Sequence, residues 1–258
     1  MKPFYPFRMW LCRLGCLASA LFLLGLSAVE IAPPEALIFG LPGEPDQLLI
    51  RRGFIVGYSY RRRQAAWVSY ILIASQVNGG KVPRPDRFRA DPEITFRPVS
   101  PRDYDRTGYD RGHLAPAADM AYAEEAMAQS FWMSNISPQL PGCNRGIWKR
   151  LEIKVRQWAA AEGKLCVITG PIFSADASTM GSADIPVPEA FFKVIWDMTP
   201  PEKMIAFIIP NAPSKRRLAA FAVSVDQVEE LTGYDFFREM EDERETRLEK
   251  EADIRAWR

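Results

Sequence analysis

Runs in which apolar and polar side chains alternate, or in which apolar residues follow one another unbroken, divide the chain into predicted elements. Residues 54–60 and 67–73 alternate and are rich in β-formers, so both predict strands, with Arg61, Arg62 and Arg63 at the hairpin tip between them. Residues 165–169, stopped by Gly170-Pro171, have the continuous apolar character of a buried strand. Residues 191–196 and 204–209 share it, the latter closed by Pro210. In 145–161, Ile147, Leu151, Val155 and Trp158 recur at helical spacing. Residues 124–133 predict another helix, and 223–232 a short one closed by Gly233. Pro83, Pro85, Pro92, Pro98 and Pro101 make 82–101 an irregular loop. Strands outnumber helices and are interleaved with them, which predicts an α+β fold with a central, mainly antiparallel sheet and helices packed on it.

The two ends read differently. Lys2, Arg8 and Arg13 precede an uncharged stretch at 14–29, short for a spanning helix and long enough for a signal-peptide core. Residues 1–32 are therefore either a cleaved signal peptide or an uncleaved N-terminal membrane anchor, and either implies export to the periplasm or beyond, free or membrane-associated. Residues 33–53, rich in proline, predict an extended connector, and 54–237 the folded domain. The charged stretch 238–258 predicts a solvated helix or a disordered tail.

Composition narrows the chemistry. The chain holds one histidine, His113, so any imidazole-dependent mechanism must use it, and a zinc site with several histidine ligands is excluded. Without the leader's three cations the basic count falls from 33 to 30 against 32 acidic residues, a net charge near −2. A phosphate-binding surface must then be local rather than global. Outside the leader, Cys143 and Cys166 either pair or stay as buried thiols.

Two segments concentrate reactive groups. In Asp110-Arg111-Gly112-His113, an imidazole able to act as general base sits beside a guanidinium whose planar fork suits phosphate. In the second, Asn144, Trp148 and Glu152 recur at i, i+4, i+8, which on a helix puts Asn144 and Glu152 on one face two turns apart. An amide oxygen and a carboxylate so placed suit Mg2+, which keeps most of its waters. The plainer alternative makes Asn144 a helix cap and Glu152 a solvated side chain.

These segments, with Asn135, Pro138-Gln139, Thr169-Gly170-Pro171, Ile185-Pro-Val-Pro188, Phe191-Phe-Lys-Val194 and Pro210-Asn-Ala-Pro213, resemble the DNA/RNA non-specific endonucleases. The resemblance spans roughly 58–233. It implies a ββα-metal (His-Me finger) site, an Mg2+ cofactor for which Mn2+ can substitute, DNA and RNA as substrates, 5′-phosphate products and a possible homodimer. By the same resemblance His113 activates the attacking water and Asn144 is the direct metal ligand. Glu152 orients metal-bound water, Arg111 contacts phosphate, Asn135 supports the catalytic group, and Asp110 has a supporting part. A further upstream arginine is expected among Arg84, Arg87 and Arg89, with Arg87 the first choice. Arg61 to Arg63 are either an additional substrate contact or a solvated turn. A binding module would be expected to have lost His113, Asn144 or Glu152, and all three are intact; a small-molecule phosphodiesterase would need an apolar pocket; a structural envelope protein would leave the motifs unexplained.

Overall fold

The computed structural model describes residues 35–257. The leader read in 1–32 lies outside the described residues, and among those described no helix is long and apolar enough to cross a membrane. Eleven strands form in chain order: β1 (Gln47–Ile50), β2 (Ile55–Ser59), β3 (Gln64–Ile73), β4 (Asp110–His113), β5 (Ile136–Gln139), β6 (Lys164–Ile172), β7 (Thr179–Met180), β8 (Ile185–Pro186), β9 (Ala190–Asp197), β10 (Lys203–Pro210) and β11 (Ala222–Val223). The helices are α1 (Ala74–Gly79), α2 (Glu124–Ser130), α3 (Lys149–Glu162), α4 (Val225–Thr232) and α5 (Asp242–Glu249). Seven strands make the main sheet in the order β1-β2-β3-β6-β9-β10-β11, and every neighbouring pair in it is antiparallel.

Both faces of this sheet are covered, which explains why its central strands are apolar without interruption. Along β9, Phe191 and Ile195 face one core while Phe192, Val194 and Trp196 face the other, as the two-residue period of a strand requires. The first core is closed by Trp148, Leu151, Val155 and Trp158 of the α3 segment. The second is closed by Val225 and Val228 of α4, Phe236, Phe237 and Leu248 of α5. Cys143 lies in the first and Cys166 in the second, both as buried free thiols with the sheet between them, so they do not pair.

Several sequence expectations need correction. Residues 33–53 are not an extended connector: β1 pairs with β2 at the sheet edge, and Leu49 is buried. Within 238–258 the expected helix forms as α5, with its outer side exposed, but the segment is docked rather than free: Met240, Leu248 and Trp257 are buried and the Trp257 ring lies 5.0 Å from that of Trp158. The helix expected from 145 begins at Lys149, preceded by a π-helical turn, Cys143–Trp148, in which Gly146 leaves helical geometry at φ −107°, ψ −107°. Of the three hairpin arginines only Arg61 is exposed. Arg62 lies over the Phe173 ring at 4.3 Å, and buried Arg63 donates to the Ala183 carbonyl. They do not form a free basic patch.

Candidate active site

The site is a small antiparallel pair, β4 with β5, followed by the π-helical turn and α3. Nothing hydrophobic specifies β4. Its register pairs Asp110 with Gln139, Gly112 with Ser137 and His113 with Ile136. Gly112 is required here by crowding: a Cβ would lie 2.2 Å from Cδ of the buried Gln139 side chain. Strand alternation sends Arg111 and His113 to one side and Asp110 to the other.

A cleft of about 500 Å3 opens beside this strand, lined by Arg84, Arg111, His113, Asn144, Arg145, Lys149, Glu152 and Arg156. Four residues anticipated at the site, His113, Arg111, Asn144 and Glu152, are brought together in it. Arg87 is not among the lining residues; Arg84, from the same loop, is. Asn135 does not line it either. Fully buried, its side chain accepts from the Ala115 amide at 2.9 Å and donates to the carbonyls of Ala115 and Ser130 at 2.9 Å each. Its side chain clamps the backbone just after His113, away from the cleft.

The His113 ring is buried between Phe88 and Phe131, with ring centroids at 5.4 and 5.0 Å. Burial, and then the Arg84 guanidinium, pull its pKa down to about 3, so the imidazole is neutral at neutral pH and carries one nitrogen with a free lone pair. Nε2 is sealed from solvent with no hydrogen-bond partner, which leaves Nδ1 as the nitrogen able to meet a water in the cleft. The His113 carbonyl accepts from Nε1 of Trp148 at 3.3 Å, which ties β4 to the turn that carries Asn144.

Asp110 orients Asn144. A carboxylate only accepts, so Asn144 must turn its Nδ2 toward Oδ2 of Asp110, at 2.9 Å. The amide oxygen is then left over, the atom a hard divalent cation would take. Arg145 grips the same carboxylate through Nε at 2.8 Å and Nη2 at 2.5 Å. Burial raises the Asp110 carboxyl, but the bonds from Arg145 and Asn144 outweigh it and keep it below its usual value, and so anionic.

Glu152 stands over a buried polar network that the sequence reading missed. Arg156 donates to Oδ1 of Asp119 at 2.8 Å, and the Tyr70 hydroxyl donates to Oδ2 at 2.9 Å. Lys193, completely buried, holds its Nζ 4.8 Å from the centre of the Trp148 ring. Burial pushes the Glu152 carboxyl up against the pull of Lys193, and burial pushes the Lys193 ammonium down against the pull of Glu152. A carboxylate so strained gains from a nearby cation. Together with the Asn144 oxygen it makes a donor set that fits a divalent metal ion of the Mg2+ type. A lysine in the middle of an apolar strand was the one visible signal for this network.

Residues 32–243 match the sequence profile of the DNA/RNA non-specific endonucleases. The chain is 30% identical over 272 residues to a nuclease of Nostoc sp., covering 93% of this chain and 98% of that protein. It is 32% identical to human mitochondrial endonuclease G over 210 residues, 76% of this chain and 70% of the relative. Among solved structures it is similar to a chain of the EndoG/EndoGI complex, a crystal structure concerned with EndoG inhibition. The TM-score is 0.76 at 28% identity, over 84% of this chain and 95% of the other.

Proposed function

This chain belongs to the DNA/RNA non-specific endonuclease family, and from that premise we propose that it hydrolyses phosphodiester bonds of DNA and RNA alike with Mg2+ as cofactor, leaving 5′-phosphate and 3′-hydroxyl ends. The observation that carries the reading is the convergence of a neutral imidazole, phosphate-seeking arginines and an amide–carboxylate metal site on one open cleft. When bound, the divalent cation supplies charge stabilisation to the phosphate and to the departing oxygen. Asn144 and Glu152 are the residues that would hold it.

The protein's own groups supply the rest. Nδ1 of His113 accepts a proton from the attacking water, and the Phe88 and Phe131 rings keep the imidazole in its basic form. Arg111 is held by the Pro101 carbonyl and by Asp105, both at 2.7 Å, and presents the rest of its fork to phosphate. Arg84 adds a second positive charge on the same wall. These contacts address the backbone of a nucleic acid, which carries no base information, so cutting is sequence-independent.

The test is cleavage of plasmid and of RNA by the purified chain, in Mg2+ and in EDTA, beside His113→Ala. Removing the general base is expected to cost roughly 100- to 10,000-fold in rate, with circular dichroism unchanged. Equal cutting by the variant would overturn the assignment of His113. Failure of the unaltered chain to cut either polymer would overturn the activity itself.

A further inference from the structure

On the sheet face opposite the cleft, α4 and α5 bury Val225, Val228 and Leu248 in a common core. Docking these apolar residues forces their acidic neighbours together. Asp226 and Glu229 are i, i+3 on α4, and Glu245 and Glu249 are i, i+4 on α5, so each pair shares a helix face. One carboxylate oxygen from each of Asp226, Glu229 and Glu249 lies within 4.8 Å of the others. Glu249, which contributes one of these oxygens, is only 4% exposed, and its Oε1 is buried without a hydrogen-bond partner. The Oε1 of Glu245 is in the same condition.

Among the described residues no lysine or arginine forms an ion pair with Asp226, Glu229, Glu245 or Glu249; Arg244 of α5 is engaged with Glu202 at 2.5 and 2.9 Å. The charges that act most strongly on Glu249 are Glu229, Glu245, Asp226 and Asp235, all negative. A buried carboxylate that faces only other carboxylates must either keep a proton or hold a cation.

We propose that Asp226, Glu229 and Glu249 form a second divalent-cation site, of the calcium class, which clamps α5 onto α4. The donors are all oxygen, the mark of a hard cation. Several carboxylates gathered at one point suit Ca2+, which takes about six to eight oxygen ligands in a flexible geometry, better than Mg2+, which keeps several waters and binds through one or two carboxylates. The three oxygens lie within 4.8 Å of one another, close enough to meet one ion. Asp226 is exposed, so water can complete the coordination sphere from outside.

The test uses the full chain, stripped with EDTA and titrated with CaCl2 in the absence of Mg2+, with Asn144→Ala as the background that removes the cleft's own metal ligand. Calcium near a hundredfold above Kd is expected to raise the Tm of Asn144→Ala by roughly 5 °C or more. Amide exchange in 242–249 is expected to slow. Adding Glu249→Gln, or separately Asp226→Asn, is expected to weaken calcium binding by calorimetry at least tenfold and to abolish both effects. The two single changes keep the result interpretable should one of them fold poorly. No calcium-dependent rise in the Asn144→Ala background would overturn the site. So would a rise that survives both acidic substitutions, or one without slower exchange in α5.

Discussion

At the scale of single residues, the site depends on side chains that aim other side chains. Asp110 touches neither water nor phosphate in the proposed reaction, yet it fixes which end of the Asn144 amide faces the cleft. Asp110→Asn keeps the size and can present a donor, so Asn144 is free to flip. The Mg2+ concentration for half-maximal cutting is then expected to rise roughly 10- to 100-fold, the range seen when a ligand loses its orienting partner. An unchanged metal titration would sink the idea. The upstream arginine gives a second, sharper contrast. Arg84→Ala is expected to lower kcat/KM on plasmid at least tenfold, and Arg87→Ala to leave it within about twofold, because only Arg84 lines the cleft and acts on His113. Equal losses would put Arg87 back. Sequence alone could not separate these two, since neighbouring arginines in a proline-rich loop look alike until the loop has a path. Asn135 was ambiguous in the same way: an asparagine that grips backbone and one that meets substrate are spelled identically.

At the scale of elements, legibility followed hydrophobicity. The strands β2, β3, β6, β9 and β10 were readable because burial imposes a visible pattern on them. The β4 strand was not, because its four residues are chosen for chemistry and its pairing with β5 rests on backbone bonds and on the empty side of Gly112. The start of α3 was misplaced for a comparable reason: the apolar spacing continues back through Ile147, while Gly146 breaks the backbone beneath it. The C-terminal segment was misjudged because its few buried side chains are scattered among charges. Trp257 tests that correction. It is 5% exposed and packs on Trp158 behind α3. Trp257→Ala is expected to cost about 3 kcal/mol and to lower Tm by roughly 6–12 °C. A calorimetric scan showing no loss would mean that the tail does not belong to the fold.

At the scale of the whole molecule, stability should fall in alkali for a definite reason. Burial pushes the Cys166 thiol up to about 12, and burial pushes the Tyr58, Tyr70 and Tyr104 phenols well above their ordinary value. The unfolded chain loses those protons near their usual pKa of about 8.5 for thiol and 10 for phenol. Between these and the folded values the native state binds more protons than the unfolded state, so stability declines as pH rises. The urea midpoint is expected to drop from pH 8 to pH 10.5, with Cys166→Ala removing part of the earliest fall, which it shares with the buried Cys143 thiol, also raised, to about 11. A flat midpoint would show that these groups are not sheltered.

The near-zero net charge first looked like evidence against a nucleic-acid partner. Its distribution reverses that inference. Residues 225–251, which lie behind the sheet, hold 11 acidic and 4 basic residues, and the rest of the chain after Ala28 holds 26 basic against 21 acidic. Charge is therefore unevenly divided: the acidic excess sits on the helices behind the sheet, while Arg84, Arg111, Arg145, Lys149 and Arg156 gather at the cleft. A polyanion approaching it exerts a torque before it makes any contact, turning the catalytic face inward and the acidic helices away. Such a charge distribution biases the docking orientation in the encounter itself, and it holds a short product less strongly than the strand it came from, because fewer phosphates remain within its reach.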